Sequence, residues 1–320
     1  MISSPHLPPA RVRVAGAALA AVGGVALAVQ GRVNGQLGHL MRDGVFAALS
    51  SFGVGTVLLV ATVAVTPSAR AGLVRLRTSV RAGRLSPWQC LGGVCGAFVV
   101  TGQSLTVSIL GVAVFTVAVV AGQVVASLAV DRAGLGPGAA EPVTRRRAFG
   151  ALLAVVAVVI AVSDHAAIGE SGGLWWALLP GLAGLGLAWQ AAVNGLVRME
   201  AANVVVPTLV NFSVGTAALL LAAGVDLIIR GLPDTLPGPW WLYIGGPLGI
   251  VAVLTAVTAV RLTGVLLLGL ASVAGQLTGA VLLDLTVPAA GGGLTATGVI
   301  GTAITMVAVG VAASRRADRR

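Results

Sequence analysis

The sequence predicts an all-α polytopic membrane protein of ten transmembrane helices, arranged as two inverted five-helix repeats. The 320 residues are 57% hydrophobic and only 9% charged, and the mean hydropathy is +0.99. About a quarter of the residues of a soluble domain are charged, so this composition excludes a soluble globular domain and a disordered chain. Two further observations support the fold class. Apolar runs of membrane-spanning length recur along the chain, and a set of polar motifs occurs twice.

The predicted spans follow from the length of the apolar runs, because about 20 residues cross about 30 Å of hydrocarbon. Two longer runs, at 88–130 and 240–284, exceed one crossing at about 1.5 Å per residue, and we divide them at 108–111 and 261–264. The ten spans are 12–35, 44–66, 88–108, 111–131, 147–163, 174–197, 204–229, 240–260, 263–284 and 294–313.

Polar motifs of the first half recur in register in the second half. At an offset of 160 residues, Gln-x-x-x-Asn-Gly of the first span returns in the sixth, and Phe-x-Val-Gly-Thr of the second returns in the seventh. At an offset of 153, Trp88, Gln123 and Asp131 match Trp241, Gln276 and Asp284. The predicted halves are 1–165 and 166–320, with five spans each. Because five is odd, the second half enters the membrane from the opposite side, which makes an inverted repeat.

The basic residues give the orientation. All 20 are arginines, and against 10 acidic residues they give a net charge of +10, which in a soluble protein would indicate a nucleic-acid partner. With the N-terminus inside, 17 arginines fall in cytoplasmic segments, and only Arg32, Arg42 and Arg230 fall outside. This bias follows the positive-inside rule. The sequence predicts a multi-pass protein of the bacterial cytoplasmic (inner) membrane with both termini in the cytoplasm and with no nucleic-acid partner.

These motifs resemble the drug/metabolite transporter superfamily, and within it the YdcZ-like branch of inner-membrane exporters in its fused two-domain form. The resemblance covers about residues 12 to 313. It implies export, and a central cavity walled mainly by the first, third, fourth, sixth, eighth and ninth spans. It supplies no substrate. The related small multidrug-resistance exporters carry a membrane-embedded Glu in the first helix. Neither 12–35 nor 174–197 contains an Asp or Glu, so their proton-coupling scheme does not transfer to this chain.

Amide side chains are the candidate substrate-binding residues, because a buried polar group in hydrocarbon needs a partner or a water-filled cavity. Gln123 and Gln276 lie near the middle of the fourth and ninth spans, at matching depth. We expect them to present two amides across a central cavity. The alternative is that each one bonds to a neighbouring helix and only holds the helices together. Gln103 and Asn211 lack polar counterparts in the other half and are candidates for contacts with an asymmetric substrate.

The repeated Gln-x-x-x-Asn motif supplies two candidate gates. Gln30 and Asn34 share one helix face near the outer end of the first span, and Gln190 and Asn194 do so near the inner end of the sixth. We expect the pairs to form matching outer and inner gates around the central site. The alternative is that Asn-Gly merely ends each helix, since both residues tolerate the left-handed conformation.

Charged residues near the span ends leave several interpretations open. Arg32 could attract an anionic solute, pair with Asp43, or extend to the lipid headgroups. Asp131 and Asp284 lie at matching span ends, where a carboxylate is usually hydrated and without a role in coupling. Proton coupling through them, or through Asp226, is the less favoured interpretation.

The function predicted from these features is secondary transport of a small organic metabolite or drug-like solute by alternating access. A passive channel or a lipid scramblase of the same architecture is the alternative. No catalytic residue, metal site or cofactor is predicted, because His6, His39 and His165 do not cluster and Cys90 and Cys95 have no nearby ligands. The protein is therefore not expected to be an enzyme. The expected partners are the lipid bilayer and a small-molecule substrate. The protein could act as a monomer or a homodimer.

Overall fold

The computed structural model describes residues 10–136, 142–167, 173–233, 235–287 and 295–313. These ranges contain nine α-helices, two short 3₁₀ turns at Pro87–Cys90 and Trp240–Tyr243, and no β-strand. The α-helices are α1 (Ala10–Met41), α2 (Gly44–Val65), α3 (Pro67–Arg81), α4 (Gly92–Arg132), α5 (Arg145–Ala167), α6 (Gly173–Ala201), α7 (Val205–Arg230), α8 (Gly245–Thr286) and α9 (Ala296–Ala313). Compared with the predicted spans, α3 is additional, and α4 and α8 each cover two spans.

The described helices have the composition of a polytopic membrane protein. Seven helical segments are long and apolar enough to cross a membrane, and two shorter helices are also apolar. Large apolar side chains cover much of the outer surface; the exposed fraction is 86% for Ile228 and 76% for Leu221. So much exposed apolar surface is unfavourable in water, whereas lipid tails cover it at no cost.

α4 contains two helical segments that meet at Gly111. The φ and ψ angles of Gly111 are 77° and 165°, a conformation that only glycine adopts without steric cost. The start of α4 and the loop after its end both lie against the C-terminal part of α6, where Gly92 adjoins Asn194 and Gly136 adjoins Ala192. The chain therefore reverses direction at Gly111, within the interval where the sequence divides the apolar run.

Asp284, from α8, closes the start of the second segment of α4. Its Oδ1 accepts a hydrogen bond from the Val112 N–H at 3.0 Å, and its Oδ2 accepts one from the Ala113 N–H at 2.7 Å. Only 3% of Asp284 is exposed. The carboxylate thus satisfies two of the N–H groups that a helix start leaves without partners. The expectation of a hydrated carboxylate is therefore wrong for Asp284.

α8 also reverses direction. Its first part runs antiparallel to α1, and its last part runs parallel to α1, so the reversal lies between residues 255 and 272. The predicted division at 261–264 lies in this interval. The neighbouring residues that establish the two directions are Gly245 and Asn34, Thr255 and Gly23, Gly275 and Ala21, and Gly279 and Val25.

Glycines make the same close contacts twice, at positions related by the sequence offsets of 160 and 153. A Cβ atom added at Gly93 would overlap the carbonyl oxygen of Asn211, and one added at Gly246 would overlap that of Ser51. α4 thus packs against α6 and α7, while α8 packs against α1 and α2. The same pairing recurs deeper in the bundle, between Gly24 and Ser272 and between Gly184 and Val119.

α3 is an amphipathic helix that follows α2 after the Thr66-Pro67 break. Its buried face packs against the turn between α6 and α7, where Gly72 adjoins Asn203. Two polar contacts fix it there. The Arg75 Nε–H donates to the carbonyl of Ala201 at 2.9 Å, and the Ser79 hydroxyl donates to Glu200 Oε2 at 2.5 Å. The segment predicted as a cytoplasmic arginine-rich loop is therefore mostly helical.

Candidate functional site

A cavity of about 520 Å³ lies between α1, α4, α6, α7 and α8. Each of these helices contributes amide, hydroxyl or glycine positions to its wall, and three phenylalanine rings supply apolar surface. α7 adds four lining residues, although the resemblance did not place it among the main walls. The aromatic lining residues are Phe52, Phe115 and Phe212, and the four from α7 are Pro207, Thr208, Asn211 and Phe212.

Seven of the eight candidate amide residues line this one cavity, although they come from five different helices. Asn34 does not line it. Asn34 has no exposed surface and lies behind Gln103. The seven lining amides are Gln30, Gln103, Gln123, Gln190, Asn194, Asn211 and Gln276.

Most of these amides have no hydrogen-bond partner within the described part of the chain. Asn34 and Gln103 bond to each other, and the other six make no side-chain hydrogen bond to a described residue. The Oε1 atom of Gln190 and the Oδ1 atom of Asn211 are buried and have no hydrogen-bond partner among the described residues. A buried amide oxygen without a donor is unfavourable, and water or a bound solute in the cavity could supply that donor. The interpretation of Gln123 and Gln276 as links between helices has no support in this geometry.

Asn34 and Gln103 form a buried pair beside the cavity. The Asn34 Nδ2–H donates to Gln103 Oε1 at 2.7 Å, and both side chains are buried. One turn further along α1, the absence of a side chain at Gly38 lets the backbone approach α4. A Cβ atom at this position would overlap the carbonyl oxygen of Ser104. Asn34 therefore does more than end a helix, since α1 continues for seven residues beyond it.

The equivalent face of α6 lines the cavity directly. Gln190, Asn194 and Gly195 line the cavity, which continues to Arg198 and Val204 at the turn between α6 and α7. α1 packs along α4 in the first half, whereas α6 hardly touches α8 in the described part of the second half. Equivalent residues of the two halves therefore have different surroundings.

Three lining residues with polar side chains are absent from the candidate set: Arg198, Thr208 and Ser272. Arg198 was assigned to the cytoplasmic segment after the sixth span. The helix in fact continues to Ala201, which keeps Arg198 on the cavity face. A sequence signal was present, because Arg198 lies four residues after Asn194, on the same side of a helix.

Among the charged residues near the span ends, Asp43 has a capping role. It caps α2 by accepting hydrogen bonds from the Val45 and Phe46 N–H groups, each at 2.9 Å. Asp131 forms an ion pair with Arg147. The described residues contain no cluster of His, Cys, Asp and Glu that could hold a metal ion.

The comparison with protein families agrees with the motifs. The family described as "Putative inner membrane exporter, YdcZ" matches residues 15–160 and again residues 175–312. No curated protein matches the chain. The family is one of membrane transporters rather than enzymes, and its two matches cover nearly the whole sequence. The chain thus belongs to the YdcZ family of inner membrane exporters, as the resemblance of its motifs indicated.

Proposed function

We propose that the protein is a secondary transporter that moves a small organic solute by alternating access between two inverted five-helix halves, residues 1–165 and 166–320. The eight candidate amides form the substrate path. The observation that carries the proposal is the difference between two equivalent residues: Asn34 is buried against Gln103 and does not line the cavity, whereas Asn194 lines it.

The positions of Asn34 and Asn194 support the inverted arrangement. Asn194 adjoins Gly92 at the start of α4, whereas Asn34 bonds to Gln103, about 16 Å further along the helix at about 1.5 Å per residue. The two copies of the motif therefore contact the same segment of α4 at two well-separated levels. In the proposed topology α3 lies on the membrane surface, and α4 and α8 each cross the membrane twice. The chain then crosses the membrane ten times.

The different surroundings of the two motifs support alternating access. In an inverted repeat, exchanging the conformations of the two halves opens the closed end and closes the open one. Under this proposal the structure would correspond to one of these two states. The cavity would then open at the α6–α7 turn, and the positive-inside distribution of the arginines favours the cytoplasmic side for that turn, so the proposed state would face inward.

The closed end separates this proposal from a passive channel or a scramblase. A channel needs a continuous path, and we infer from the close glycine contacts and the Asn34–Gln103 bond that one end of the cavity is closed. Export is the favoured direction because the family is described as exporters.

Counterflow tests the proposal. Purified protein in liposomes preloaded with one unlabelled metabolite at a time should accumulate the labelled form of its substrate transiently. Replacing both Gln123 and Gln276 with Ala should abolish binding and counterflow. The matched control is Gln36→Ala, since Gln36 is an amide of α1 outside the cavity lining. Flux that does not saturate, or movement of labelled phospholipid between leaflets without counterflow, would identify the protein as a channel or a scramblase instead.

A further inference from the structure

Arg198 lines the cavity and is charged, whereas the other described lining residues are neutral. The described lining residues include amides, hydroxyls, aromatic rings and aliphatic groups, but no Asp or Glu. Arg198 is partly buried, and no described residue forms an ion pair or a hydrogen bond with its guanidinium. A guanidinium carries five N–H donors in a planar fork that matches a carboxylate or a phosphate group.

Five carboxylates in the described part of the chain are engaged away from the cavity. Glu200, only two residues after Arg198, accepts hydrogen bonds from the Ser79 hydroxyl and from Arg84 instead. Asp284 and Asp43 cap helices, Asp131 pairs with Arg147, and Asp226 pairs with Arg230. The cavity therefore contains a positive charge that none of these five carboxylates balances.

This charge distribution selects between classes of solute. A cation in the cavity would lose hydration and meet no carboxylate, which is unfavourable. An oxyanion would lose hydration too, but it would gain charge-assisted hydrogen bonds from the guanidinium. The unpartnered oxygens of Gln190 and Asn211 can accept hydrogen bonds from O–H or N–H groups elsewhere on the solute.

The position of Arg198 places it where the inner end must close. At the offset of 160 residues, its counterpart is Gly38, the glycine that lets α1 approach Ser104 of α4. The position that has only a hydrogen atom as its side chain in α1 therefore carries a guanidinium in α6. A bound anion at this point would neutralise the charge before α6 closes against α8.

We propose that the transported solute is a small soluble oxyanion, a carboxylate or a phosphate monoester with an O–H or N–H donor, and that Arg198 binds its anionic group at the inner end of the cavity. This inference rests on the proposed transport function and adds the chemical class of the substrate and the residue that recognises it.

Binding to purified protein in an uncharged maltoside detergent tests the inference without lipid phosphate as a competitor. The probes are matched sets on small aliphatic and aromatic skeletons: the carboxylate, the phosphate monoester, the primary amide and the amine. Binding is measured as a rise in the melting temperature with ligand concentration. We expect the anions to bind more tightly than the amides and the amines. Arg198→Gln should weaken anion binding by about tenfold or more and leave amide binding unchanged.

Two control variants make the result specific. Arg198→Lys keeps the charge without the fork and should bind anions with intermediate affinity. Arg77→Gln removes an exposed arginine of α3 outside the cavity lining and should change nothing. The inference is overturned if amines bind best, if no anion binds, or if Arg198→Gln weakens amides and anions equally. It is also overturned if wild-type protein, but not the Arg198→Gln variant, retains only an anionic phospholipid added to the detergent.

Counterflow then separates this inference from the transport proposal. Arg198-dependent binding of an anion without counterflow of that anion would reject transport and keep the anion site. Counterflow of an amide or an amine that is unaffected by Arg198→Gln would keep transport and reject the anion site.

Discussion

The hydroxyl oxygens of Thr56 and Thr216 lie 2.7 Å apart. These residues occupy equivalent positions of the repeated Phe-x-Val-Gly-Thr motif, so each touches its own counterpart. A residue can contact its own counterpart only near the axis that relates two repeats. The rings of Phe52 and Phe212, also counterparts, lie 4.9 Å apart between their centroids. In the proposed inverted repeat, the contact between α2 and α7 would therefore lie at the axis.

A disulfide at the axis should be compatible with transport. When two inverted halves exchange conformations, the pair Thr56–Thr216 maps onto itself, and the distance between these residues stays the same. We expect a variant with cysteines at both positions, in a Cys90→Ala, Cys95→Ala background, to cross-link on oxidation and to keep most of its counterflow. Activity of the oxidised protein is compared with that of the same sample after reduction. A cross-link that stops exchange would mean that α2 and α7 separate during transport and would reject the axis.

The Asn34–Gln103 hydrogen bond should break during transport, unlike the contact at the axis. Its counterpart pair is Asn194 with Ala256, which cannot form the same bond. Loss of one buried hydrogen bond costs about 1 kcal/mol, or about a fivefold change in population. We expect Asn34→Ala to raise the labelling rate of a cysteine at position 30 by an impermeant reagent from outside by about this factor.

A double variant tests the assignment to this one bond. Asn34→Ala combined with Gln103→Ala should label no faster than the faster single variant, because both changes remove the same contact. Thr62→Ala, which affects only an exposed hydroxyl bonded within α2, is the control. Additive effects of the two single changes would show that the residues act separately.

The sequence predicted the helices well and the contacts between them poorly. The division at 108–111 matches the reversal at Gly111 because the length of an apolar run is a local property. α3 was missed because Pro67 and several arginines gave the segment the appearance of a loop. Its short apolar stripe is too small for a membrane span. The register of that stripe, Ala69, Gly72, Leu76 and Ser79, was the available signal.

The sites depended on contacts between distant parts of the chain. The repeat in the sequence identified the amides that line the cavity, because paired polar residues are conspicuous in apolar helices. The buried state of Asp284 was not visible, since its partners at Val112 and Ala113 lie in the other half of the chain. Arg198 was hidden for a different reason: an arginine at a cytoplasmic helix end is already explained by the positive-inside rule.

The orientation can be tested with cysteines at exposed positions. Leu232 follows α7, on the side opposite to the α6–α7 turn, and Thr78 lies on the exposed face of α3. In intact cells we expect an impermeant thiol reagent to label a cysteine at position 232 but to label one at position 78 only after lysis, because the positive-inside rule predicts that the arginine-rich α3 faces the cytoplasm. The reverse pattern would invert the orientation and would make the open end of the cavity external.

Asp284 and Asp131 are counterparts in the repeat, but removal of their carboxylates should have unequal effects. Asp284→Ala leaves two buried helix-start N–H groups without an acceptor, and we expect a loss of about 2 kcal/mol or more. Asp131→Ala breaks a partly exposed pair, for which we expect less than about 1 kcal/mol. Melting temperatures of the two variants in detergent provide the comparison. Equal losses would mean that Asp284 does not hold the start of the second segment of α4.

Gly93 and Gly246 should be equally sensitive to a single added methyl group. At both positions a Cβ atom would overlap a backbone carbonyl, which cannot rotate away as a side chain can. Overpacking of this kind typically costs about 1–3 kcal/mol. We expect Gly93→Ala and Gly246→Ala to lower the melting temperature by similar amounts. Gly224→Ala is the matched control, because an added Cβ there meets no atom within 4 Å and alanine favours the helix. If one variant of the pair were as stable as the control, the two halves would not share the packing that an inverted repeat requires.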